Sequence, residues 1–233
     1  MNSTKLLLIL FTLYLTVSIS AAGCGKGEVS QKTGTVKKDS SDLNSGSQNA
    51  NSSITDQTDF PPVTLDFKTA TGKFYLVIIK KNSESLIDIM ISGLGFENSN
   101  DTMIYKDSDP FDKALMGDLD GNGFDDFLVV TRSAGSGSYA GLYGVASNDD
   151  KSFTQINFPP VTEADMQPGK PFEGYMGHDF FNVEDNVLIR EFPVYRSGDP
   201  NSSPTGGKRR ISYKLSQGET MYQLVVDKVE KLE

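Results

Sequence analysis

This 233-residue sequence predicts an all-β fold, an antiparallel β-sandwich or partly closed barrel carried on a disordered N-terminal tether. Three observations point there. Short runs of β-branched and aromatic residues recur through residues 61–233, separated almost everywhere by Gly, Asn, Asp, Ser or Pro. Alternation with period two is clean towards the C-terminus: Ile211, Tyr213 and Leu215 share one face, as do Tyr222, Leu224 and Val226. No stretch sustains the 3.6-residue period of an amphipathic helix, and no internal repeat marks a solenoid or propeller.

Residues 1–23 read as a signal sequence of lipoprotein type. Lys5 precedes an apolar run over 6–15, and the small residues Ser20, Ala21, Ala22 and Gly23 lead into Cys24. The run is too short for a comfortable bilayer span. A lone cysteine placed directly after Ala-Gly resembles the bacterial lipobox, with Ala21 where leucine is usual, so Cys24 is the expected lipidation site. That puts the protein in a bacterial cell envelope. With Gly25 following the cysteine, the expected anchor is the outer membrane, facing the periplasm or the surface. Residues 24–60 then form a linker rich in Ser, Gly and Thr, whose apolar residues (Val29, Val36, Leu43, Ala50, Ile54, Phe60) are too scattered to offset ordering entropy.

The domain over 61–233 is long enough for one core. Its strand candidates are 73–80 and 85–92, joined by a hairpin across 81–84, then 124–131, 139–146, 153–157, 186–192, 210–215 and 221–226. Residues 162–170 leave room for one helical turn, and 227–233 is expected to fray. Composition narrows the function. There are 31 acidic against 22 basic residues, a formal charge of −9, so nucleic acid lacks its electrostatic attraction. One cysteine excludes an internal disulfide framework, and one histidine, His178, leaves little for a His-based metal centre. His178 beside Asp179 invites a catalytic reading, but no activated nucleophile accompanies the pair, and a structural hydrogen bond is expected. Tyr175, Met176, Phe180 and Phe181 are expected in the core.

Two segments carry possible chemistry. In the first, Asp118, Asp120, Asn122 and Asp126 place side-chain oxygens around Gly121 and Gly123. Hard oxygens in a tight loop suit structural Ca²⁺, with Phe124 adding a backbone carbonyl on the pattern of strand–loop–strand calcium loops. A solvated hairpin turn is the alternative. The second is the stretch 133–138, made only of Ser, Ala and Gly, which allows close approach to another surface. It lacks the Gly-Lys-Ser/Thr ending of a phosphate loop, and no helix pattern follows it as in a serine-hydrolase elbow.

Ser136-Gly137-Ser138-Tyr139 matches the Ser-Gly-x-Tyr signature of bacterial lysozyme inhibitors, and the chain resembles the periplasmic inhibitors of invertebrate-type (I-type) lysozyme. The segments 117–123, 133–139, 174–179, 192–199 and 204–211 carry the likeness in order. The resemblance implies a non-enzymatic β-sandwich that protects peptidoglycan by inserting the Ser136–Tyr139 loop into the cleft of an I-type lysozyme, where hydroxyls meet the catalytic carboxyl pair. Arg196, Lys208, Arg209 or Arg210 would grip the rim of the cleft, and an exposed sheet edge offers a route to a homodimer. The competing classes are a calcium-dependent adhesin or glycan-binding lipoprotein, and a hydrolase using Asp125 or Asp179.

Overall fold

A computed structural model describes residues 61–98 and 102–233; the signal sequence, Cys24 and the linker lie outside the described residues. The described residues are all-β, with no helix among them. A four-stranded antiparallel meander comprises β1 (Val63–Lys68), β2 (Phe74–Lys81), β3 (Ile87–Leu94) and β4 (Thr102–Ser108). The other eight strands are β5 (Phe111–Gly117), β6 (Asp126–Arg132), β7 (Ala140–Asn148), β8 (Ser152–Asn157), β9 (Phe180–Glu184), β10 (Val187–Pro193), β11 (Lys208–Gln217) and β12 (Tyr222–Leu232). They form one sheet in the order β5-β6-β7-β8-β12-β11-β10-β9.

That sheet curls into a nearly closed barrel. Its two edges meet where Lys113 on β5 donates to the Phe181 carbonyl on β9, and where the Asp118 amide donates to Asn186 Oδ1 at 3.3 Å. The antiparallel pattern is broken once. The chain leaves β8 through Phe158-Pro159-Pro160, which cannot continue a ladder through its prolines. It returns as β12, parallel to β8 over only Tyr222↔Ile156 and Gln223↔Asn157.

Strand β6 explains how the two sheets join. Its residues 126–131 are all buried, because Leu128 and Val130 face the barrel interior while Phe127 and Val129 face the meander. The barrel core adds Leu142, Phe181, Leu188, Phe192, Ile211 and Leu224; the meander core adds Tyr75, Val77, Ile89, Ile91, Val145 and Phe153. A continuous apolar run is what a strand covered on both faces requires.

Turn chemistry follows the sequence. In the β2–β3 hairpin the Leu86 amide donates to Ser83 Oγ at 3.1 Å and the Asn82 amide to the Leu86 carbonyl at 2.9 Å. Asp185 and Asn186 join β9 to β10 with φ of 48° and 62°, the left-handed pair of a two-residue hairpin turn. Residues 162–170 form turns rather than a helix, and 227–233 does not fray: β12 runs to Leu232, paired with β11 along its length.

Candidate functional site

The 133–139 loop connects β6 to β7 and is held on every side. Arg132 anchors its base, reaching Asp112 Oδ2 at 2.8 Å through Nη2 and the Ser138 carbonyl at 3.1 Å through Nη1. The Ser133 amide donates to the Tyr139 carbonyl, the Ser138 amide to the Gly135 carbonyl and the Tyr139 amide to Ser133 Oγ, all at 2.9 to 3.0 Å. Ser138 sits at φ 44° with its hydroxyl 3.5 Å from Arg132. Its side chain therefore braces the loop, while Ser136 and Tyr139 are exposed.

Two distant segments support this loop from below. The His178 amide donates to the Gly137 carbonyl at 2.8 Å. That approach requires glycine at 177: its φ is 91°, and a Cβ there would overlap the Gly137 carbonyl. From the 196–205 loop, Asn201 Nδ2 donates to the Ser136 carbonyl at 2.7 Å, and its Oδ1 lies 3.2 Å from His178 Nε2. Tyr195 in turn donates to the Asn201 carbonyl at 2.9 Å. His178 thus makes a side-chain hydrogen bond within a brace. Tyr139 is 47% exposed, with its ring edge-on to Tyr175 at 5.7 Å between centroids.

Beneath the loop lies a buried ion pair that periodicity alone did not single out. On β10 the inward positions are Leu188, Arg190 and Phe192, so a cation occupies the core face. Arg190 Nε donates to Asp179 Oδ1 at 2.6 Å, and Nη2 donates to the Tyr175 hydroxyl at 2.7 Å. Asp179 Oδ2 accepts from the Tyr175 hydroxyl at 2.8 Å and from the Ala140 amide at 3.1 Å. Burial opposes the charge on Arg190, but the Asp179 carboxylate together with the Tyr213 and Tyr175 oxygens outweighs it, and the guanidinium is held firmly protonated. Burial also pushes the Tyr175 phenol well above its ordinary range. With every oxygen of Asp179 hydrogen-bonded, it acts as the hub tying β7, the 174–179 turn and β10 together. The signal available in the sequence was a single arginine at an inward strand position.

The other site residues are placed as follows. Arg196 is exposed on the 196–205 loop, whose turn is closed by Asp199 accepting from the Arg196 amide and the Thr205 amide at 2.8 Å each. Arg209, expected at the rim of a partner's cleft, is buried, with Nη1 donating to the carbonyls of Lys170 and Pro171 at 3.0 and 3.2 Å. Its alternation on β11 with Ile211 and Tyr213 turns it inward, so it is not a free surface cation. Arg210 pairs with Glu184 and, at 2.7 Å, with Glu191. Phe181 is core, as expected, whereas Met176 and Phe180 are 44% and 53% exposed, Phe180 lying under the Lys113 ammonium at 4.1 Å.

The Asp-rich loop lies between β5 and β6. Asp118 Oδ2 accepts from the Gly123 amide at 2.9 Å, Asp120 Oδ1 from the Asn122 amide at 3.1 Å, and Asn122 Oδ1 from the Phe124 amide at 2.9 Å. Asp126 is fully buried, accepting from the amides of Leu119 and Ser147 at 2.8 and 2.9 Å. Burial, reinforced by Asp120 and Asp118, pushes its carboxyl up to about 7 against the two amide bonds. Asp118 Oδ1 is buried with no hydrogen-bond partner. Among the described residues no three His, Cys, Asp or Glu side chains converge with metal-binding spacing. Asp125 Oδ2 accepts from the Ala70 amide at 2.6 Å, linking this loop to the meander.

No family model, curated protein or solved structure matches the chain.

Proposed function

We propose that this protein is a proteinaceous inhibitor of I-type lysozyme and not an enzyme. The observation that carries the reading is convergence: residues 133–139, 174–179 and 192–205, separate in the chain, meet at one end of the barrel and brace Ser136 and Tyr139 outward. A loop held by its own hydrogen bonds before contact loses little entropy on binding. Ser136 and Tyr139 offer two hydroxyl donors to a carboxyl pair, and tyrosine is a frequent binding hot spot. Gly137 keeps the tip thin. Arg196 is exposed on the neighbouring loop and would be available to the rim of the lysozyme cleft. A formal charge of −9 attracts a basic lysozyme at long range, and Cys24 would hold the inhibitor at the envelope beside the peptidoglycan it protects.

The test is lysis of bacterial cell walls by I-type, chicken-type and goose-type lysozymes titrated with the purified protein. Selective inhibition of the I-type enzyme is expected, weakened at least tenfold by Tyr139→Ala and measurably by Ser136→Ala, the scale of a hot-spot loss. A folded protein that inhibits no lysozyme sinks the reading, and a calcium-dependent adhesin or glycan-binding lipoprotein then leads.

The Asp118–Asp126 loop is proposed as a structural calcium site on one observation, the buried Asp118 oxygen without a partner. Millimolar Ca²⁺ should raise the thermal midpoint, since a ligand that binds only the native state stabilises it; an unchanged midpoint removes calcium from the account.

A further inference from the structure

A cleft of about 390 Å³ opens between residues 194–197, residues 206–209 and Lys231. Four cationic side chains line it, Arg196, Lys208, Arg209 and Lys231, against one carboxylate, Glu173, a local balance of 4 − 1 = +3. The whole chain carries −9, so this concentration of positive charge runs against the composition. None of the four cations forms an ion pair among the described residues. Glu173 Oε2 instead accepts from the Gly169 amide at 3.0 Å.

Arg209 makes the cleft more than a patch of surface charge. It is only 5% exposed, and its single set of acceptors is the Lys170 and Pro171 carbonyls on Nη1. Its Nε is buried with no hydrogen-bond partner. A desolvated guanidinium with an unused donor is costly unless an acceptor completes it. An anion in the cleft would neutralise the four cations together, with small movements of Arg209 letting its planar donor fork turn to the ligand.

We propose that this cleft is a binding site for a phosphate group bearing a small organic substituent. Donors reach the cleft from three chain segments, which suits an anion that accepts along several directions, and the volume leaves room for a substituent beyond the oxyanion. Two sources share that chemistry: a soluble phosphoester and the headgroup of an anionic lipid.

The experiment uses the purified chain carrying Cys24→Ser, so that no acyl group contributes to membrane binding. Inorganic phosphate and glycerol 3-phosphate are titrated by calorimetry and ³¹P NMR, and co-sedimentation is measured with phosphatidylglycerol and phosphatidylcholine vesicles. Lys208→Glu/Lys231→Glu changes two exposed side chains and should leave the thermal midpoint in place; Arg209→Met provides the buried counterpart. One-to-one binding weakened at least tenfold by the double variant, with vesicles ignored, supports a soluble phosphoester. Sedimentation with phosphatidylglycerol alone, abolished by the double variant, supports a headgroup. Failure to bind either kind of probe, or binding that survives the double charge reversal, overturns the proposal.

Discussion

Arg190 shows how one side chain sets the character of the barrel end. Its guanidinium and Asp179 are 2% and 0% exposed as side chains, so water screens neither. Arg190→Met would leave the carboxylate buried without its counter-ion and should destabilise the fold by about 3–5 kcal/mol. Adding Asp179→Asn should recover part of that loss, and a double-mutant cycle in urea reads the coupling; strict additivity would mean that the pair does not act as a unit. Asp126 makes a second residue-scale prediction, one of pH. Its native pKa, about 7, is above the unfolded value of about 3.9. The native state therefore holds the proton more tightly: the contribution to stability is complete below pH ~4 and is lost as pH rises through ~7. With calcium chelated, the thermal midpoint should fall between pH 5 and 7.5, and Asp126→Asn should flatten that slope. An identical slope in the variant would assign the titration elsewhere.

Among the elements, the 133–139 loop depends on partners far away in sequence. Asn201 is exposed, and its side chain bridges the Ser136 carbonyl and the His178 ring. Asn201→Ala should therefore leave the thermal midpoint within a degree or two while weakening the proposed lysozyme inhibition roughly three- to tenfold, about 1 kcal/mol for one net hydrogen bond. Faster amide exchange at residues 135–138 would accompany the loss, and unchanged exchange would show that Asn201 does not brace the loop. Strands varied in how plainly their residues announced them. Those covered on both faces, such as β6, or alternating cleanly, such as β11, were legible. The unforeseen strands β1, β4, β5 and β9 are the four sheet edges. In β5, Lys113, Ala114, Leu115 and Met116 favour helix locally, and pairing with β6 overrides them. Charged residues along β12 looked like a fraying tail, but alternating charge is what a strand with a solvent-facing side tolerates.

For the molecule as a whole, the shared strands β6 and β7 bind the two cores into one cooperative body. Phe127 and Leu128 are neighbours in sequence and sit in different cores, so opening either core exposes one face of a strand that the other core uses. Calorimetry should give a single unfolding transition with matching calorimetric and van't Hoff enthalpies; two resolved transitions would show the meander melting independently. The fold class and most strands could be read from the sequence because each is a local pattern of alternation or turn chemistry. The barrel's parallel junction, the inward turn of Arg209, the Arg190–Asp179 pair and the cationic cleft at Lys231 could not. They join residues apart in sequence, from 11 positions for Asp179 and Arg190 to 66 for Ile156 and Tyr222, and only the tertiary arrangement decides which of those side chains share a face, a partner or a cavity.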